Sequence, residues 1–402
     1  MPSWPSAAPS IAPGSFIPED RALTNYLAEK ANHHQALTPQ DVEATEKLYG
    51  EHPNDNYRKF LERILLVAAS GQAAQHHNAE AITYLHKALA LDPDSPLIRQ
   101  LLVELERLTL DWTSMEATSR DALLREPRNP YFLRALGLAL FRQDRNVEAA
   151  EALKASLELQ EEPYARSVLD RIRRGASDEK GMTEQRLAHF DVRYDGEAHD
   201  ELGREIVTNL EHDYATLATS LDYELQTKVP VIILTRERYY ETNQSWSGGG
   251  FDTLDGRIRI PVLGLGPSLT PFMKSTLLHE LTHAFVNERT RGIANSDLQE
   301  GFAQYMEGKR LPPTLTPAQA NALVTAVMTR EMGPIVVGDY YAGALSYVEY
   351  LVANRGQGGI NELLKVMGET GNMDEAFRQV YGKDAQEMRK AWGTRLEQQS
   401  GG

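Results

Sequence analysis

Residues 270–289 read Thr-Pro-Phe-Met-Lys-Ser-Thr-Leu-Leu-His-Glu-Leu-Thr-His-Ala-Phe-Val-Asn-Glu-Arg. Thr270 followed by Pro271 is an N-cap hydroxyl ahead of a proline at the first helical position, which predicts a helix from there to about Glu288. Within it, His279 and His283 stand four apart, on one helix face and about one turn from each other, so both imidazoles can reach one cation. Glu280 faces the open side, where it could receive a proton from water held by that cation. Neutral imidazoles with a carboxylate and one position left for water suit a catalytic zinc centre, one ion per chain. The five-residue pattern alone also arises in helices by chance, so its weight depends on a third ligand.

Ser296 can cap a second helix with Gln299 three residues on, and Glu300 falls in its first turn, 17 positions beyond His283. Gly301 leaves space for close helix contact. Asp297, one turn earlier, and Glu307, two turns later on the same face, are the competing carboxylates. Taken together, His279, Glu280, His283 and Glu300-Gly301-Phe302-Ala303-Gln304-Tyr305 resemble the gluzincin metallopeptidases, most closely the small bacterial peptidase MA-like domains. A metzincin would need Gly where Val286 stands and His where Arg289 stands. The gap from His283 to Glu300 is shorter than in thermolysin-like relatives, so residues 290–295 must turn tightly, with Gly292 to help.

The resemblance implies further roles. Gln304, four residues after Glu300, stands where thermolysin-like enzymes place an Asp that holds a ligating His, so its amide oxygen is expected to accept the other ring N–H of His279. A later helix, beginning near Asp339, offers Tyr341 as the hydroxyl that donates to the oxyanion, with Tyr340 one register away; aromatic stripes are more often core than catalytic. The alternating strand Arg257 to Val262 precedes the zinc helix, as does the edge strand on which zinc peptidases lay an extended substrate. Arg257, Ile258, Arg259 and Ile260 are therefore expected to bind substrate, and Pro261 suits an edge. Gly248-Gly249-Gly250 reads as a lid over the cleft.

Upstream, the chain changes character. From about Asp20 to Arg174 it is Leu- and Ala-rich, helical in pattern and almost free of β-branched runs. Pro93 and Pro127, Pro96 and Pro130, and Leu89, Leu123 and Leu157 all recur at an interval of 34 residues. On that period Ala88, Ala122 and Ser156 share one small-residue position, Ala81, Met115 and Ala149 another, and Ala69, Val103 and Gly137 a third. These segments resemble tetratricopeptide (TPR) repeats, about three of them from near Arg63 to Leu159, with earlier helices capping the stack. After Leu187 short strands enter: His189 to Tyr194 alternates, 200–221 is helical in period, and Val229 to Thr235 is an unbroken apolar run suited to a strand covered on both faces. The expected architecture is multidomain: an all-α TPR-like solenoid (20–177), a linker (178–186) and an α+β zincin-like gluzincin metallopeptidase domain (187–396), with a flexible leader (1–19) and tail (397–402).

The whole-chain figures narrow the function. The 402 residues exceed one ordinary domain, and 41% apolar against 25% charged residues provides for a sizeable core. A formal charge of −15 with no basic patch argues against nucleic-acid partners. No stretch approaches the length of a membrane span, and residues 1–18 do not read as a signal peptide, which leaves periplasmic, secreted and cytoplasmic locations open. The absence of cysteine removes thiolate zinc sites and thiol nucleophiles, so any metal must be held by His, Asp or Glu. The expected activity is zinc-dependent peptide-bond hydrolysis with Glu280 as general base. The repeats would recruit a peptide or protein substrate, or a protein partner. The alternative is a non-catalytic TPR scaffold or binding protein whose second domain is metal-binding or an inactive peptidase-like fold.

Overall fold

In the computed structural model, which describes residues 16–33, 35–194, 196–241, 249–261, 269–312, 316–325 and 334–400, the chain opens on helices. These are α1 (Arg21–Asn32), α2 (Pro39–Glu51), α3 (Asp55–Ala74), α4 (Asn78–Leu91), α5 (Pro96–Leu108), α6 (Trp112–Arg125), α7 (Pro130–Arg142), α8 (Asn146–Leu159) and α9 (Pro163–Asp178). α3 packs on α4, α5 on α6 and α7 on α8, and each pair stacks on the next. The 34-residue interval has a structural counterpart. The turn inside each pair passes through a left-handed residue, His76, Leu110 and Asp144 in succession. Ala81, Met115 and Ala149 are buried at one repeating position, and Ala88, Ala122 and Ser156 at another. At Gly137 an added Cβ would stand 2.6 Å from Leu153 Cγ, so the helices of the last pair approach too closely for a side chain there. Helix starts follow the prolines, with Ser95 and Asn129 as N-caps ahead of Pro96 and Pro130.

Residues 16–19, expected in a flexible leader, are docked: Phe16 is buried with its ring edge-on to Tyr57 and Phe60. The rest of that leader lies outside the described residues. The chain divides into two compact units, Met1–Leu169 and Asp170–Gly402.

The second unit is built on a five-stranded mixed sheet: β1 (Thr183–Arg186), β2 (Phe190–Tyr194), β3 (Val229–Leu234), β4 (Gly250–Asp252) and β5 (Arg257–Pro261). Its order is β1-β2-β3-β5-β4; β2, β3 and β5 run parallel, while β1 and β4 close the two ends antiparallel to their neighbours. β1 lies in the stretch expected to be linker. It carries no apolar alternation, since as an edge strand it is mostly exposed. β3 is buried along its whole length, as an unbroken apolar run requires.

On one face of the sheet Val192, Val231, Ile233, Ile258 and Ile260 join a single core with α10 (Gly196–Leu221) and α12 (Pro271–Arg289); on the other, Ile232 and Leu234 gather with Tyr239 of α11 (Arg236–Tyr240). The remaining helices are α13 (Ser296–Met306), α14 (Pro317–Thr325), α15 (Pro334–Thr370), α16 (Met373–Tyr381) and α17 (Ala385–Ser400). α13 lies directly on α15, and Gly301 is the reason: a Cβ there would meet the Ala344 carbonyl oxygen at 2.4 Å. α15 carries a non-helical residue at Gly356. α17 continues through residues 397–400, which the sequence reading assigned to a flexible tail. No helix among the described residues is long and apolar enough to cross a membrane.

Candidate metal centre

Thr270 caps α12 by accepting from the Met273 N–H, and the helix runs unbroken past His283. α13 starts one residue earlier than the sequence suggests: Asn295, not Ser296, is the N-cap and accepts from Leu298 N–H. α12 packs on α13, and this brings one ligand atom each of His279, His283 and Glu300 within 4.8 Å of one another. Glu300 Oε2 lies 3.2 Å from His279 Nε2 and 3.7 Å from His283 Nε2. A tetrahedral zinc with bonds of about 2.0–2.2 Å spaces its ligands about 3.3–3.6 Å apart, and Glu300 stands close to that spacing from each imidazole. Glu300 Oε2 is also a buried oxygen with no hydrogen-bond partner, a cost that an ion would remove. Donor set, spacing and orphaned oxygen together fit a divalent cation.

Both histidines are held from behind. His279 Nδ1 stands 2.5 Å from Glu307 Oε1, and His283 Nδ1 stands 3.1 Å from Gln299 Oε1. In the neutral imidazoles that a metal requires, these acceptors keep the proton on Nδ1 and leave the Nε2 lone pair directed at the site. Glu307 is itself fixed by Ser275 and Lys309. The expected bond from His279 to Gln304 is not made. Gln304 Nε2 donates to the main-chain carbonyls of Glu300 (3.1 Å) and Tyr341 (2.8 Å), tying α13 to α15, and Glu307 takes the role proposed for it. Asp297, the rival ligand, is drawn away into an ion pair with Arg389.

The local charges answer one another. Burial works against a charged His279, yet the carboxylates of Glu300 and Glu307 beside it push its pKa up to about 10 when no metal is bound. Burial likewise opposes ionised Glu300, and the two histidines outweigh it, holding that carboxyl below its ordinary value. Glu280 differs: burial raises it, and His283, His279 and a hydrogen bond only partly offset this. The hydrogen bond is Phe251 N–H to Glu280 Oε2 at 2.7 Å.

Phe251 belongs to β4, and here the substrate-strand expectation is corrected. Arg257, Ile258, Arg259 and Ile260 lie in β5, which pairs with β3 on one side and β4 on the other. Ile258 and Ile260 are core, Arg257 is buried against Glu179, and Pro261 pairs with Leu234. The strand at the free end of the sheet is β4. The lid suggestion falls partly outside the described residues, at Gly248; Gly250 begins β4, and at Gly249 a Cβ would crowd Ile260 and Thr276.

Residues 238–398 match the Peptidase MA superfamily model. The chain thus carries a C-terminal peptidase MA domain behind an N-terminal region of stacked helix pairs. No curated protein matches the chain. The superfamily suggests a metallopeptidase, and the matched segment holds His279, His283 and Glu300, together with β4 and β5.

In the peptidase MA domain two tyrosines of α15 border the same carboxylates. Burial, then the carboxylates of Glu300 and Glu280, raise the Tyr341 hydroxyl above its ordinary value, so it stays a neutral donor. Tyr340, more deeply buried, faces Glu300 and Ser296. The sequence does not by itself disclose the ring partners found here: Glu307 reads there as a competing ligand and Gln299 as part of a helix cap, and only His279 has an expected partner, Gln304. Their signal was present in the spacing. Glu307 stands two turns beyond Glu300, and Gln299 adjoins it.

Proposed function

We propose that this protein is a zinc-dependent peptidase. The observation that carries the reading is the convergence of His279 Nε2, His283 Nε2 and the orphaned Glu300 Oε2, beside a buried carboxylate that contributes nothing to the cluster, Glu280. His279, His283 and Glu300 would hold the ion, which when bound supplies Lewis acidity and an acidified water. Glu280 then takes a proton from the attacking water and delivers it to the leaving amine; its burial raises the carboxyl above its ordinary value, which makes the carboxylate a stronger base toward that proton.

Tyr341 donates its hydroxyl to the oxyanion. It is preferred over Tyr340 because it faces both Glu280 and Glu300. β4, the last strand of the sheet among the described residues, is the edge along which an extended peptide would add as a further strand. The helix pairs are read as TPR-like repeats that recruit the substrate protein or a partner.

The test is Glu280→Gln. Chelator-sensitive cleavage of unfolded protein substrates should vanish in this variant while zinc stoichiometry stays at the wild-type value. Comparable turnover in the variant would remove Glu280 from the mechanism. Absence of chelator-sensitive cleavage in the wild type, across a broad substrate panel, would favour a metal-binding scaffold.

A further inference from the structure

We propose that Arg171, in α9 and outside the matched family segment, is a positioning residue for Glu280 that acts through the β4–β5 hairpin. The inference rests on the peptidase reading for its consequence in catalysis, though not for the clamp itself.

The hairpin is held at its turn by charge. Asp255, 1% exposed, lies between the two strands and accepts from the Arg257 N–H at 3.1 Å, from Arg259 Nη2 at 2.5 Å and from Arg171 Nε at 3.2 Å. Arg171 also grips Asp252, the last residue of β4. Burial alone would raise the Asp255 carboxyl, but Arg259, Arg171 and Arg257 hold it below its ordinary value. The guanidinium of Arg257 is engaged with Glu179. Without Arg171 the two carboxylates of the turn are left chiefly to Arg259.

Packing secures one face of the hairpin, where Phe251 lies against the core shared with α12, but not the other. A cavity of about 520 Å³ lies on the face of the sheet away from α12, lined among others by Arg171, Arg174, Ile232, Leu234, Asp252 and Arg259. Arg171 is thus a side chain that spans from α9 to the hairpin beside open space, and β4 is only three residues long.

One residue before Asp252, the same strand holds the general base. Phe251 N–H donates to Glu280 Oε2, so it is not spent on the β5 ladder and points from the open edge of β4 toward α12. A hairpin released at Asp252 and Asp255 carries Phe251 away from Glu280, and moves the edge on which substrate pairs. Displacements of about 1 Å in such settings cost up to about a hundredfold in rate.

The experiment uses Arg171→Ala, with Arg171→Gln beside it, so that misfolding of the alanine variant leaves the test standing, and Arg171→Lys, which keeps the charge but offers one ammonium where the guanidinium spans two carboxylates. Amide hydrogen exchange on the metal-free full-length chain should show residues 249–256 exchanging at least about tenfold faster in the neutral variants, with α12 and α13 unchanged and Arg171→Lys between them and wild type. In the zinc-loaded enzyme, kcat/KM for a peptide substrate should fall about ten- to a hundredfold at unchanged zinc content. Unaltered exchange at 249–256, or acceleration spread evenly through α12 and α13, overturns the proposal. If the wild type hydrolyses no peptide, the peptidase reading fails while the exchange result still decides the clamp.

Discussion

Glu307→Ala separates the observed support of the metal centre from the support that sequence reasoning would choose. Glu307 Oε1 is 2.5 Å from His279 Nδ1, and its side chain is 3% exposed, so its removal takes away the charged acceptor of the ring proton. Its loss frees the imidazole to rotate and to carry its proton on Nε2, where it must be bare to bind metal. Loss of such a backing partner typically weakens metal affinity about ten- to a hundredfold, or about 1.4–2.7 kcal/mol. Gln304→Ala is the control. It removes two hydrogen bonds to main-chain carbonyls, at 3.1 and 2.8 Å, and should cost about 1–2 kcal/mol of folding stability while zinc affinity stays within about twofold. The assay is competition for zinc against a chromophoric chelator at fixed pH, with denaturant unfolding of the metal-free chains alongside. Unchanged zinc affinity in Glu307→Ala, or an equal loss in Gln304→Ala, would refute the assignment.

Three other outcomes follow from the same structure. Gly301→Ala puts a methyl 2.4 Å from the Ala344 carbonyl oxygen and 2.5 Å from Val348, so α13 must lift off α15; calorimetry should find a loss of about 3 kcal/mol or more, and a near-neutral result would contradict the close approach. Tyr341→Phe should lower kcat about a hundred- to a thousandfold with KM and zinc content little changed, whereas wild-type kcat would exclude it as the oxyanion donor. Glu106, 2% exposed in α5, has one oxygen bonded by Thr118 and the other without a hydrogen-bond partner, and burial pushes its pKa up to about 7. Between the ordinary value of 4.5 and about 7 the folded chain keeps a proton that the unfolded chain has released, so this group's contribution to stability falls as pH rises through that window, by at most about 3 kcal/mol. Urea unfolding of Glu106→Gln should show that part of the pH dependence gone; an identical pH profile would contradict it.

The metal helix was legible because its determinants are local. Thr270-Pro271 announces the start of α12, and the 3.6-residue period alone puts His279 and His283 on one face. The repeat interval was legible for the same reason, each helix pair repeating its own small residues and turn. What required the fold was anything decided between elements. Whether Gln304 or Glu307 reaches His279 depends on how α13 lies across α12, since both residues follow Glu300 on the same helix. β5 looked like an edge because it alternates and contains Pro261; the true edge, Gly250-Phe251-Asp252, is too short to display a period. β1 is a strand because β2 offers it a free edge, which no property of residues 183–186 reveals. Asp297 seemed a plausible ligand until Arg389, 92 positions later, was seen to claim it.

The most direct measurement is zinc K-edge X-ray absorption on the chain loaded with one equivalent of zinc, paired with elemental analysis of His283→Ala. The spectrum should show a single four- to five-coordinate ion with two imidazole nitrogens and oxygen ligands at about 2.0–2.2 Å, and the variant should no longer retain it. A spectrum lacking two imidazoles, or full zinc content in His283→Ala, would contradict it.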